Sequence, residues 1–218
     1  MKKNLTEMAF ILDMSGSMHY LTEDTIGGYN SLIEKQKEEE GEAYITTVLF
    51  DDRYIVVNDH IDIKEVKPLT KREYCPEGMT ALLDAIGRTV NSIGKRLSET
   101  PEEERPEKVV IAITTDGMEN ASREFIKVQI KEMIEHQQSK YSWVFMFLGA
   151  NMDAIIEASN LGIASDFVQT YSANSVGTNS VYATLNKSLG YIRSEAYTGD
   201  TNTSSYKEAV LDFKENVK

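Results

Sequence analysis

The amino-acid sequence predicts an α/β fold: a doubly wound, mostly parallel central sheet with right-handed crossovers and an antiparallel edge hairpin. Five apolar runs, residues 8–12, 45–50, 54–57, 109–113 and 143–148, are mostly continuous rather than alternating, the pattern of strands buried on both faces. Between most of them the apolar period becomes helical. Only Asp51-Asp52-Arg53 separates the second run from the third, a link so short that the two must pair as a hairpin.

Taken in order, the first run stops at Asp13. Thr22 is expected to N-cap a helix reaching about residue 40, with Glu23 and Asp24 at its positive end and Ile26, Tyr29 and Ile33 on its buried side. Leu82, Ile86, Val90, Ile93 and Leu97 form the stripe of a second helix. Thr100-Pro101-Glu102-Glu103 reads as a single helical turn that Pro106 ends, and the acidic runs 38–42 and 102–107 as solvated ends. A third helix, capped by Ser122, uses Ile126, Ile130, Met133 and Ile134. A short helix over 152–161, a weak sixth strand over 166–170 and a late helix aligning Val181, Leu185, Leu189 and Ile192 follow. Residues 172–180, rich in Ser, Asn, Gly and Thr, read as loop. No repeat or linker divides the chain, so one domain is expected over 1–218, with 199–218 as a C-terminal tail or helix.

Composition narrows the partners. With 23 basic and 35 acidic residues the formal charge is −12, which repels nucleic acid and anionic membrane surfaces alike. At 41% hydrophobic and 27% charged residues the chain has an ordinary globular composition. Cys75 is the single cysteine and cannot form an intramolecular disulfide, which fits a reducing compartment. The apolar run at 8–12 is too short for a secretory h-region and no stretch is long enough to span a bilayer, so a cytoplasmic location is expected.

Ligands of open parallel sheets sit beyond the carboxyl ends of the strands. There the first strand runs into Asp13-Met14-Ser15-Gly16-Ser17 and the fourth into Thr114-Thr115-Asp116-Gly117, while Glu77-Gly78-Met79-Thr80 leads into the second long helix at the same edge. Two carboxylates and several hydroxyls, with no basic residue in these segments, are hard oxygen donors suited to a divalent cation. Mg²⁺ is the first choice, with Mn²⁺ or Ca²⁺ as alternatives. Neutral Ser and Thr ligands leave such a cation incompletely neutralised, and so able to attract an outside carboxylate.

Asp13-x-Ser15-x-Ser17 after a buried strand, Thr80 after a glycine, and Asp116-Gly117 after another buried strand resemble the metal-ion-dependent adhesion site of von Willebrand factor type A domains. The order of elements resembles that Rossmann-like fold from about residue 5 to residue 148. The resemblance implies a protein-binding module and not an enzyme. By it, Ser15 and Ser17 contact the metal directly, and Asp13 and Asp116 bind it directly or through water. Thr80 joins in the ligand-ready state, and a partner's Asp or Glu completes the shell.

Other readings compete with this one. Ser15 and Ser17 also suit a turn and helix cap, with Asp13 satisfying backbone amides. Glu119 and Asn120 are expected to cap the helix near Ser122. Met14 and Met79 are expected in the core, whereas Met18 and Met118 divide between core and an adaptable rim around the metal. Cys75 and the scattered His19, His60 and His136 form no nucleophile-base pair, and no Gly-x-Ser-x-Gly elbow is present. Phosphatases resembling the haloacid dehalogenases place Asp-x-Asp after a first buried strand, but Ser15 stands where their acid/base aspartate would be. A purely structural metal tying three loops together is the remaining alternative.

Overall fold

The computed structural model describes residues 1–150 and 154–194. The expected tail or helix at 199–218, and the first residues of the helix expected over 152–161, lie outside the described residues. Six strands form one sheet: β1 (Lys2–Asp13), β2 (Glu42–Phe50), β3 (Tyr54–Asp62), β4 (Pro106–Thr115), β5 (Val144–Gly149) and β6 (Val168–Thr170). Their order is β3-β2-β1-β4-β5-β6, parallel throughout except for the β2–β3 hairpin at the edge. The doubly wound, mostly parallel expectation is therefore met, hairpin included.

Helices cover both faces because both faces of these strands are apolar. One layer buries Met8, Phe10, Leu12, Ile45 and Leu49 with residues of α1 (Thr22–Glu38) and α5 (Ser175–Arg193). The other buries Ile11, Ile111, Ile113, Phe145 and Phe147 under α2 (Leu82–Glu99), α3 (Lys127–Tyr141) and α4 (Ala154–Asn160). Alternate residues of β1 thus go to opposite layers, as the pleat requires.

Three expected helix boundaries move, each for a local reason. Residues Gly16–Leu21 form a 3₁₀ turn that runs directly into α1, and the Thr22 hydroxyl donates back to the His19 carbonyl at 2.7 Å instead of capping the helix. Ser122 does not cap α3. The Asp84 carboxylate gathers the amides of Arg123, Glu124 and Phe125 at 2.9–3.0 Å, which delays the helix until Lys127, where Gln129 Oε1 accepts from the Ile126 amide. Two thirds of the segment expected as loop at 172–180 is helix, since Asn174 accepts from the Gly177 amide at 2.9 Å and starts α5.

The far end of α5 is clasped to α1 by a buried cation. Arg193, 5% exposed, donates to the carbonyl of Gln36 in the last turn of α1 and to those of Glu40 and Gly41 just beyond it. Carbonyls at and beyond a helix C-terminus have no amide of a following turn to accept from, and a guanidinium supplies several donors at once. Arg193→Ala is expected to lower stability by about 2–4 kcal/mol, because the carbonyl of buried Gln36 loses a charged donor and a cavity opens. Urea denaturation measures it; a midpoint within error of the parent would show that water replaces the guanidinium without cost.

Candidate metal centre

β1 lies between β2 and β4, so the chain winds one way from β1 to β2 and the other way on the far side of β4. The crevice at the carboxyl ends of β1 and β4 is the switch point where open sheets bind ligands. Asp13 ends β1, and Asp116 directly follows β4.

Hydrogen bonds carry the first loop across this crevice. Asp13 is fully buried; its Oδ1 accepts from the Ser15 amide at 2.7 Å and its Oδ2 from the Thr115 hydroxyl at 2.6 Å. Ser15 Oγ lies 3.1 Å from Ser17 Oγ, and Ser17 Oγ donates to Asp116 Oδ1 at 2.6 Å. Burial pushes the Asp13 carboxyl up to about 6, partly offset by the bonds from Thr115 and Ser15, with the charge of Asp116 adding to the rise. Asp116 is also raised, by burial first, against the bond from Ser17.

Thr80 arrives on the middle loop. Its approach turns at Gly78, whose φ of +65° suits glycine. The Gly16 amide donates to the Gly78 carbonyl, fastening this loop to the first one. Asn120 then locks Thr80 to the third: its Oδ1 accepts from the Thr80 amide at 2.9 Å, and its own amide donates to the Thr80 carbonyl at 3.0 Å.

The oxygens converge beside Gly117. A Cβ placed on Gly117 would lie 3.0 Å from Thr80 Oγ1, 3.7 Å from Ser17 Oγ and 3.8 Å from Asp13 Oδ2. The missing side chain thus leaves a cradle walled by hard oxygen donors from two loops, next to the carboxylate of Asp116. Among the described residues, no group of three or more His, Cys, Asp or Glu is placed to hold a metal. A cation in this cradle would depend on hydroxyls as well as two carboxylates, a donor set that fits Mg²⁺-like ions.

The structure therefore brings together all five residues selected from the sequence, and adds others. Thr115 reaches Asp13 because the parallel register opposite Leu12–Thr114 sets it alongside, and register is not written in either strand alone. Tyr74 donates to the Asp13 carbonyl at 2.6 Å from a loop that gives no such signal. Glu119 does act as a cap, but its acceptors serve Leu83 at the start of α2 together with Ala121 and Ser122, not α3. Of the methionines, Met14 is buried as expected and Met18 joins it in the core. Met118 is 73% exposed, and Met79, expected in the core, is 51% exposed because it sits in an irregular loop where strand alternation no longer applies.

No known family profile matches the sequence, and no curated protein aligns with it. Solved structures do match by fold. Proximal thread matrix protein 1 from the mussel byssus, with a zinc-occupied MIDAS motif, superposes with a TM-score of 0.59 at 18% identity over 85% of this chain and 46% of its own. Manganese-loaded TRAP protein of Plasmodium vivax gives 0.55 at 16% identity, over 82% of this chain and 73% of its own. The pilus adhesin SpaC of Lactobacillus rhamnosus GG, in an open conformation, gives 0.63 at 11% identity, over 88% and 30%. The chain spans about half the length of the mussel protein. These neighbours are von Willebrand factor type A domain proteins, and at such identities the likeness is one of fold.

Proposed function

We propose that this chain, which has the von Willebrand factor type A fold, is a divalent-cation-dependent protein-binding module. In this reading Asp13, Ser15, Ser17, Thr80 and Asp116 hold Mg²⁺, with Mn²⁺ or Ca²⁺ able to substitute, and an Asp or Glu of a partner protein completes the shell. The observation that carries it is the convergence of Thr80, Ser17 and Asp13 oxygens on the space beside Gly117. A cation bound there supplies an electrophilic position open to a partner's carboxylate. The protein's own part is to pre-position donors: Thr115 and the Ser15 amide orient Asp13, Ser17 orients Asp116, and Asn120 fixes Thr80. The zinc and manganese carried by two of the neighbours support a divalent site on this fold.

The reading excludes turnover. Ser15 Oγ is engaged with Ser17 and is a poor proton shuttle near neutrality, so it does not supply the acid/base group that the aspartate at that position gives a phosphatase. A purely structural metal would offer no exchangeable position to a carboxylate, and this separates that alternative from the binding module. A cytoplasmic location belongs to the proposal, supported by the exposed free thiol of Cys75.

The direct test fills the cradle without altering charge. Gly117→Ala is expected to weaken Mg²⁺ binding about ten- to hundredfold by calorimetry, because its methyl would crowd Thr80 Oγ1, with folding retained in chelator. Parental affinity in Gly117→Ala would place the cation elsewhere and remove the basis of the proposal.

A further inference from the structure

Exposed apolar side chains stand on each of the segments that carry the candidate ligands. Eleven large hydrophobic side chains are exposed among the described residues, and eight of them stand on segments that leave the carboxyl edge of the sheet. Each ligand-bearing loop presents one beside its own oxygen donors. Tyr20 follows Ser17 by three residues, Met79 immediately precedes Thr80, and Met118 follows Asp116 by two. Ile126, just before α3, and Val176, in the first turn of α5 and 81% exposed, extend the set outward.

Hydrogen bonds hold these outer segments against the loops. Ser175, next to Val176, donates to Asp24 in the first turn of α1 at 2.7 Å, which sets Val176 near the 3₁₀ turn that carries Tyr20. Asp84, in the first turn of α2, holds the Phe125 amide at 3.0 Å, which sets Ile126 near the loop of Met79 and Thr80. Burying the exposed groups would release apolar surface from water, and methionine adapts to the shape it meets.

We infer that the partner's contact surface is apolar and carries a single carboxylate, an Asp or Glu ringed by aliphatic or aromatic side chains. The inference rests on the cation-binding proposal above and adds to it the composition of the surface around the coordinating group. Charge opposes a polyacidic ligand. Asp13 and Asp116 offset much of a divalent cation's charge, and the residual field at its one open coordination position suffices for one carboxylate and not for several. Any further acidic group meets a chain of net charge −12. A wholly polar partner would leave Tyr20, Met79 and Met118 wet, whereas the cores of protein interfaces favour aromatic residues and Met over charged ones.

Three capped peptides probe this on the full chain: a pentapeptide with one central glutamate flanked by leucine and phenylalanine, its serine- and glycine-flanked counterpart, and hexaglutamate. Fluorescence polarisation in saturating Mg²⁺ is expected to rank the apolar-flanked peptide about tenfold tighter than the serine-flanked one. Chelator, or glutamine in place of the glutamate, is expected to abolish binding. Met118→Ser and Val176→Ser are each expected to lower affinity for the apolar-flanked peptide about threefold, without changing affinity for the serine-flanked one or for Mg²⁺. Equal affinity for the two glutamate pentapeptides would overturn the inference while leaving the cation site standing. Binding of the apolar peptide that ignores both chelator and glutamine substitution would overturn the inference and the carboxylate reading together. Tightest binding by hexaglutamate, self-association of the chain through this face in sedimentation, or no binding of any peptide at millimolar concentration would each overturn it as well.

Discussion

In chelator, Asp13→Asn is expected to be at least as stable as the parent chain, and in saturating Mg²⁺ the less stable of the two. The crossover follows from where the carboxylate stands. Asp13 is fully buried, receives neutral donors from Ser15 and Thr115, and shares the crevice with Asp116. Burying a carboxylate on such terms costs about 1–3 kcal/mol that a neutral amide avoids. Asparagine keeps an acceptor for the Ser15 amide, and its NH₂ can donate to the Thr115 hydroxyl, so the loop retains its bonds. With Mg²⁺ at a hundredfold excess over its dissociation constant, the parent gains about 2.7 kcal/mol from binding that only the folded state supports. The variant, missing one of two charges the cation needs, gains little. Paired urea denaturation curves in EDTA and in Mg²⁺ measure both halves. Equal Mg²⁺ shifts in the two proteins would show that Asp13 is a structural cap and not a ligand.

The same physics explains what the sequence made legible. Strands buried on both faces have to be apolar throughout, so the runs around Ile11, Val48, Ile111 and Phe145 announced a parallel sheet, and the three-residue link at Asp51 to Arg53 forced the hairpin. Asp13, Ser15, Ser17 and Asp116 were legible as polar residues directly after buried strands at the ligand edge, whereas Thr80, on a loop that follows no strand directly, was marked as a ligand by the resemblance to the metal-ion-dependent adhesion site. Helix starts were less so. Thr22, Ser122 and Asn174 all have capping chemistry, yet only Asn174 caps the helix that follows it, since Thr22 follows a 3₁₀ turn and the Ser122 hydroxyl accepts from the Asp84 amide in the first turn of α2 while donating to Glu119. Which of several capable side chains caps a helix depends on partners as far as 38 residues away, as Asp84 is from Ser122. Likewise Tyr74, 61 residues from Asp13, comes to its carbonyl only through the tertiary fold.

Thr80→Ala is expected to lower affinity for a glutamate-bearing peptide more than tenfold while changing Mg²⁺ affinity about threefold or less. Thr80 is the one candidate ligand that is neutral and comes from the middle loop, so its loss strands no charge. Its backbone is also held independently of its hydroxyl: the amide bonds Asn120 Oδ1, and the carbonyl accepts from the amides of Asn120 and Ala121. Alanine therefore leaves the loop in place and removes a single oxygen from the cradle beside Gly117. If that oxygen serves mainly when a partner's carboxylate enters the shell, the two affinities separate. Asp13→Ala and Asp116→Ala, which each remove a charge, should impair both together. Thr80→Ser, which keeps the hydroxyl and drops only the methyl, should restore most of the peptide binding. Separate titrations of Mg²⁺ and peptide into the parent, Thr80→Ala and Thr80→Ser decide the matter. Parallel losses in the two affinities would make Thr80 an ordinary structural ligand. Failure of serine to rescue would shift the role from the hydroxyl to the packing of the buried methyl.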